Sequence, residues 1–102
     1  MDTSLHEATL ELDVLSRRCL GKLDGPVALK IMNATEAAYF AVDELGRDLK
    51  RRGQSVRRAQ EAIFTCQWLF RVLLSRRVLD PQVYDELRLR MDHIAGELDA
   101  LR

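Results

Sequence analysis

The sequence has no long apolar run. Its uncharged apolar stretches fall well short of the ~18 residues a membrane span requires. With 31% of its residues charged, the chain does not read as a membrane protein. Met1-Asp2-Thr3-Ser4 offers neither a basic region nor an apolar run, so no secretory signal is expected there. Cysteine is scarce. Cys19 and Cys66 lack zinc-ligand spacing and fall on apolar helix stripes, where a buried thiol is the ordinary state and a disulfide the exception. A cytoplasmic location is the expectation that follows.

Residues for chemistry are scarce too. A di-iron bundle needs a glutamate three residues before an inward-facing histidine. Thr3 and Arg90 occupy those positions relative to His6 and His93, which are instead expected on the surface. No Cys-x-x-Cys-His haem site, glycine-rich phosphate loop or nucleophile elbow occurs. Asp85 and Glu86 are neighbours in sequence, so they diverge around a helix and do not form an acid/base pair. No enzyme, no metal site and no cofactor are expected.

What the chain does have is 102 residues, enough for one domain, with 47% apolar content. Its net charge of zero conceals a block pattern. Residues 1–46 hold four basic and eight acidic side chains; residues 47–79 hold nine basic and two acidic; residues 80–102 hold three and six. A basic middle therefore lies between acidic flanks.

Apolar spacing predicts four helices, near residues 4–22, 26–51, 55–78 and 81–101, and no strand. Ser4 and Glu7 have the spacing of a capping box. Leu5, Ala8, Leu12, Leu15 and Cys19 form the first stripe, and the helix is expected to fade near Gly21. Asp24-Gly25-Pro26 is a turn that leads into the second helix, with Val27, Ile31, Ala34, Ala38, Ala41 and Leu45 on its face. Arg51-Arg52-Gly53 reads as its C-terminus, with Gly53 as a left-handed cap. Val56, Ala59, Ile63, Cys66, Phe70 and Leu73 form the third stripe. Asp80-Pro81 starts the fourth, which carries Tyr84, Leu87, Met91, Ile94, Leu98 and Leu101. Short connections make an all-α antiparallel four-helix bundle the expected fold.

Large apolar residues also lie off these stripes: Leu29, Met32, Tyr39 and Phe40 on the second helix, Phe64, Trp68 and Val72 on the third. One reading is a wide buried face. The other is a self-association surface. Arg47, Lys50, Arg51, Arg52, Arg57 and Arg58 surround one turn, and Arg71, Arg76 and Arg77 follow down the third helix. Guanidinium forks suit phosphate oxygens, so a nucleic-acid contact is one reading. A solvated helix end balanced by neighbouring carboxylates is the other.

The segment Ala59-Gln60-Glu61-Ala62-Ile63-Phe64-Thr65-Cys66-Gln67-Trp68-Leu69-Phe70-Arg71-Val72-Leu73-Leu74 precedes Leu79-Asp80-Pro81-Gln82-Val83-Tyr84, and His93-Ile94-Ala95-Gly96-Glu97-Leu98 follows. This resembles the accessory variability determinant (Avd) family of diversity-generating retroelements, related to proteins encoded in ribosomal-RNA intervening sequences. Gly25-Pro26 through Ile31 fits loosely as well. The resemblance implies a four-helix bundle that forms a ring-like homopentamer and binds a reverse transcriptase and its RNA or cDNA. Under that resemblance the nine basic residues named above carry the nucleic-acid contact.

Overall fold

The computed structural model describes residues 3–20, 25–47 and 49–101. They form an all-α four-helix bundle, with helix, turn and bend but no strand among the described residues. Its helices are α1 (Thr3–Leu20), α2 (Pro26–Leu45), α3 (Arg52–Ser75) and α4 (Pro81–Ala100), with a short 3-10 turn at Leu49–Arg51. Each packs on its chain neighbours, and α1 closes the ring against α4. The α2–α3 pair is the most extensive contact. Alanines at 34, 38 and 41 on α2 and at 59 on α3 are buried there and let the two backbones approach closely.

Local chemistry sets the helix ends. Asp80 is extended, and its carboxylate accepts the Gln82 N–H at 2.8 Å, with Pro81 in the first turn as expected. Gly25 precedes Pro26 with φ 133°, a conformation open to glycine and strained for a side chain. At the end of α3, the Val78 N–H reaches the Leu73 carbonyl (3.1 Å) and the Arg77 N–H reaches Leu74 (3.0 Å). This is a Schellman ending, and it puts Arg77 in the left-handed region at φ 59°.

The junction of α2 and α3 corrects the sequence reading. α2 stops at Leu45, not near Arg51, because Gly46 weakens helix propagation and the chain tightens into i→i+3 bonds from Gly46 to Asp43 and from Arg47 to Glu44. Gly46 is the C-cap, and at φ −80° it is not left-handed. Gly53 lies inside the first turn of α3, so it caps nothing. Arg52 therefore sits at a helix N-terminus, where the macrodipole adds to its positive charge; the sequence reading had placed it at a C-terminus. α1 begins at Thr3, and the Ser4 side chain of the expected capping box lies outside the described residues, as do Gly21 and Asp24.

The predicted stripes of α3 and α4 hold closely: Val56, Ala59, Ile63, Cys66, Phe70 and Leu73 are all buried, as are Leu87, Met91, Ile94 and Leu98. Tyr84 and Leu101 are half-buried and pack on that core. On α1 the buried face is turned relative to expectation. Leu5, Thr9, Leu12, Ser16 and Leu20 are buried, while Ala8, Leu15 and Cys19 are only half-buried. A search for apolar periodicity passes over Thr9 and Ser16. Thr9 tolerates burial because its hydroxyl lies within hydrogen-bond reach of the His6 carbonyl (2.9 Å) and the Leu5 carbonyl (3.2 Å).

Candidate interaction surfaces

The outer face of α3 is built by residues three, four and seven apart, which stack on one side of a helix. Arg57, Phe64, Trp68 and Arg71 share that face. Phe64 is 70% exposed and Trp68 59%. Gln60 and Gln67 flank the row on the α4 side and are held there by Asp99 (2.9 Å) and Asp92 (3.3 Å). On the α2 side, Phe40 stands in water beside an open groove of about 600 Å³ lined by Ala34, Ala37, Ala41 and Ala62. Arg58 and Glu44 line the same groove and pair across it at 3.5 Å.

The seven residues expected off the core thus divide. Leu29, Phe40, Phe64 and Trp68 are exposed. Met32, Tyr39 and Val72 are half-buried, and Met32 packs on the core. Tyr39 lies 4.8 Å from the His6 ring and 5.7 Å from Phe40. His6 is not the surface residue expected of it. It is half-buried between α1 and α2, with Nε2 3.4 Å from Asp43 Oδ1 but poorly aligned for a hydrogen bond. His93 is exposed, 4.0 Å from Glu97.

The nine basic residues also divide. Arg47, Lys50, Arg51, Arg52, Arg57 and Arg58 surround the α2–α3 turn, Arg71 lies on the outer face of α3, and Arg76 and Arg77 sit just past its far end. Nineteen residue steps from Arg57 to Arg76 separate the turn from the far end by about 28 Å at the helical rise. Arg47 pairs with Asp43 at 3.3 Å and Arg58 with Glu44. Among the described residues, Arg52, Arg57, Arg71, Arg76 and Arg77 have no carboxylate within ion-pair distance.

A second exposed apolar surface lies on the other side of the bundle, and the sequence reading passed over it. Leu10 (44% exposed), Val14 (48%) and Leu89 (61%) flank the α1–α4 seam. The signal was available: these residues are off-stripe aliphatics, like those noted on α2 and α3. Across the seam Arg90 bridges Glu11 on α1 (2.8 Å) and Glu86 on α4 (3.6 Å).

The thiols are shielded rather than activated. Burial pushes Cys66 up to about 12. Cys19 is raised by burial, helped by Glu86 and opposed by Arg18. Both cysteines are free. No group of three or more potential metal ligands occurs among the described residues, and no helix is long and apolar enough to cross a membrane. No family model, curated protein or solved structure matches the chain.

Proposed function

We propose that this chain is a non-enzymatic accessory protein that self-associates through α2 and α3 and serves beside a reverse transcriptase and its RNA or cDNA. The partner class comes from the resemblance to the Avd family, which also implies five copies in a ring. The observation that carries the self-association is the exposure of Leu29, Phe40, Phe64 and Trp68 on a domain this small. Support for the nucleic-acid contact comes from Arg52 and Arg57, which add unpaired charge to the positive end of the α3 dipole.

A second reading has its own observation. Arg47 and Arg58 are already engaged by Asp43 and Glu44, as in a solvated helix end that meets only protein. Light scattering tests assembly, with a clean monomer at high micromolar concentration as the contrary result. RNA titration at several salt concentrations tests the contact. Reversing Arg51, Arg52, Arg57 and Arg58 to glutamate should abolish salt-sensitive RNA binding while helicity is kept. If all four meet single-stranded phosphates, up to about 3 units of the log–log salt slope should be lost with them. Absence of RNA binding both alone and with the polymerase would favour the protein-only module.

A further inference from the structure

α1 fills its place in the bundle less well than α4 fills its own. It packs between α2 and α4, and its buried row among the described residues is Leu5, Thr9, Leu12, Ser16 and Leu20. Two of those five side chains are polar. The Thr9 hydroxyl turns back to its own helix, and the Ser16 hydroxyl is buried with no hydrogen-bond partner. An unmade hydrogen bond in the interior costs free energy that an apolar side chain of the same shape does not. The buried row of α4, by contrast, is wholly apolar: Leu87, Met91, Ile94 and Leu98. The edges of α1 are held by contacts open to water. Arg17 reaches Glu36 on α2 with both side chains nearly half exposed, and Glu11, 64% exposed, meets Arg90 on α4. His6 approaches Asp43 without a hydrogen bond at Nε2. Ion pairs so exposed contribute little.

We propose that α1 is a displaceable helix, and that the slot it occupies between α2 and α4 receives an amphipathic helix of a partner protein. This goes beyond self-association through α2 and α3 and does not rest on it. The slot states the chemistry of its guest. Leu5, Leu12 and Leu20 share one core with Ile31 of α2 and with Leu87 and Ile94 of α4, so the guest needs leucine-like side chains along the same row. Thr35 on α2 donates to the Asp13 carboxylate at 2.7 Å, which calls for a carboxylate near the middle of the guest. Glu36 calls for a cation one turn further on, where Arg17 stands, and Arg90 calls for an anion on the α4 side, where Glu11 stands. A helix with that charge pattern and with apolar residues in place of Thr9 and Ser16 satisfies each of these groups and strands no hydroxyl. α1 therefore binds its own slot below the best the slot allows. Its tether raises its effective concentration and keeps the slot closed until a better guest arrives. When α1 leaves, α3 keeps its contacts with both α2 and α4, so the opening is local.

Hydrogen exchange of the whole chain tests the displacement. Amides of α1 should exchange at least about tenfold faster than those at the centre of α3, through an opening that leaves α3 protected. Arg17→Glu, at an exposed position, turns two attractions into repulsions and should speed α1 exchange further with α3 unchanged. Ser16→Ala removes the stranded hydroxyl and should slow it. Equal protection of α1 and α3 in the parent and both variants overturns the proposal. Docking is read with a labelled peptide of residues 3–20 carrying Thr9→Val and Ser16→Ala. By fluorescence anisotropy it should bind the Arg17→Glu protein at least about tenfold more tightly than the Ser16→Ala protein, because readier opening raises the competent fraction. Binding to neither, or equally to both, overturns the slot as a docking site. Equal binding by the unaltered 3–20 peptide overturns the foreign partner and assigns the slot to α1 of a second copy. Phe40, Phe64 and Trp68 are untouched in every variant, so these results stand apart from any failure of assembly through α2 and α3.

Discussion

The Thr35 hydroxyl on α2 lies 2.7 Å from the Asp13 carboxylate on α1, and the other Asp13 oxygen receives Arg17 Nε at 3.1 Å. Arg17 extends the link back to Glu36 on α2 at 3.1 Å. Thr35 is fully buried, and its hydroxyl also lies 3.0 Å from the Met32 carbonyl, the one other acceptor within reach among the described residues. Thr35→Val keeps the shape and removes the donor. A hydrogen bond to a charged group contributes about 1.5–3 kcal/mol, and denaturant unfolding should show a loss of that size. A loss below about 0.3 kcal/mol would mean that Asp13 is satisfied equally well by Arg17 and solvent.

Ile63, Phe70, Leu87 and Ile94 are at most 1% exposed and come from facing helices. Truncating the aliphatic ones to alanine should cost about 2–5 kcal/mol, and Phe70→Ala about 3–5, from lost burial and the cavity left behind. Equilibrium unfolding measures this. Losses under about 1 kcal/mol at all four would show that the core lies on other faces.

Arg77 holds a left-handed conformation that costs a non-glycine residue about 1 kcal/mol. Arg77→Gly removes that strain and keeps the two Schellman bonds, against a modest entropic gain for the unfolded chain. The variant should melt higher by a few degrees in a thermal scan, and Arg77→Val lower. A lower melting temperature for the glycine variant would indicate that the arginine side chain contributes more than its backbone costs.

Cys66 makes stability fall at alkaline pH. Its folded-state pKa lies near 12, above the ordinary 9.0 of a free thiol. The folded protein therefore holds a proton that the unfolded chain releases. This contribution is complete below about pH 9 and is lost as pH rises toward 12. Urea midpoints across that range should fall, and fall less in Cys66→Ala measured against its own baseline. In native protein near neutral pH, thiol reagents should modify Cys19 first and Cys66 only on unfolding.

Much of the fold was legible because its strongest signals are local. Asp80-Pro81 announces α4 and behaves as a cap and first-turn proline should. The α3 and α4 seams follow apolar spacing residue by residue. The α2–α3 junction was misread because Arg51-Arg52-Gly53 carries a valid C-terminal signature, while Gly46, seven residues earlier, competes with it and prevails. The α1 face was misread because Thr9 and Ser16 are polar; Thr9 is buried with its hydroxyl bonded to the backbone of its own helix, and Ser16 is buried with its hydroxyl unpartnered, neither of which periodicity encodes. Among the surface residues, sequence separated exposed from half-buried positions poorly. Phe64 and Tyr39 look alike on a helical wheel, but His6 from α1 covers Tyr39 and nothing in the described structure covers Phe64.

The alanine seam between α2 and α3 makes the molecule unequally tolerant of change. At Ala34, Ala38, Ala41 and Ala59 the backbones are held close by the absence of side-chain volume. A larger residue there must prise two helices apart, at about 1–3 kcal/mol or more. Ala37 is exposed at the rim of the same seam, and there extra volume would fill the open groove rather than split the pair. Neighbouring positions of one residue type thus answer to opposite rules. The inner alanines act as a spacer of fixed thickness, and the outer one as an adjustable lip of the open groove.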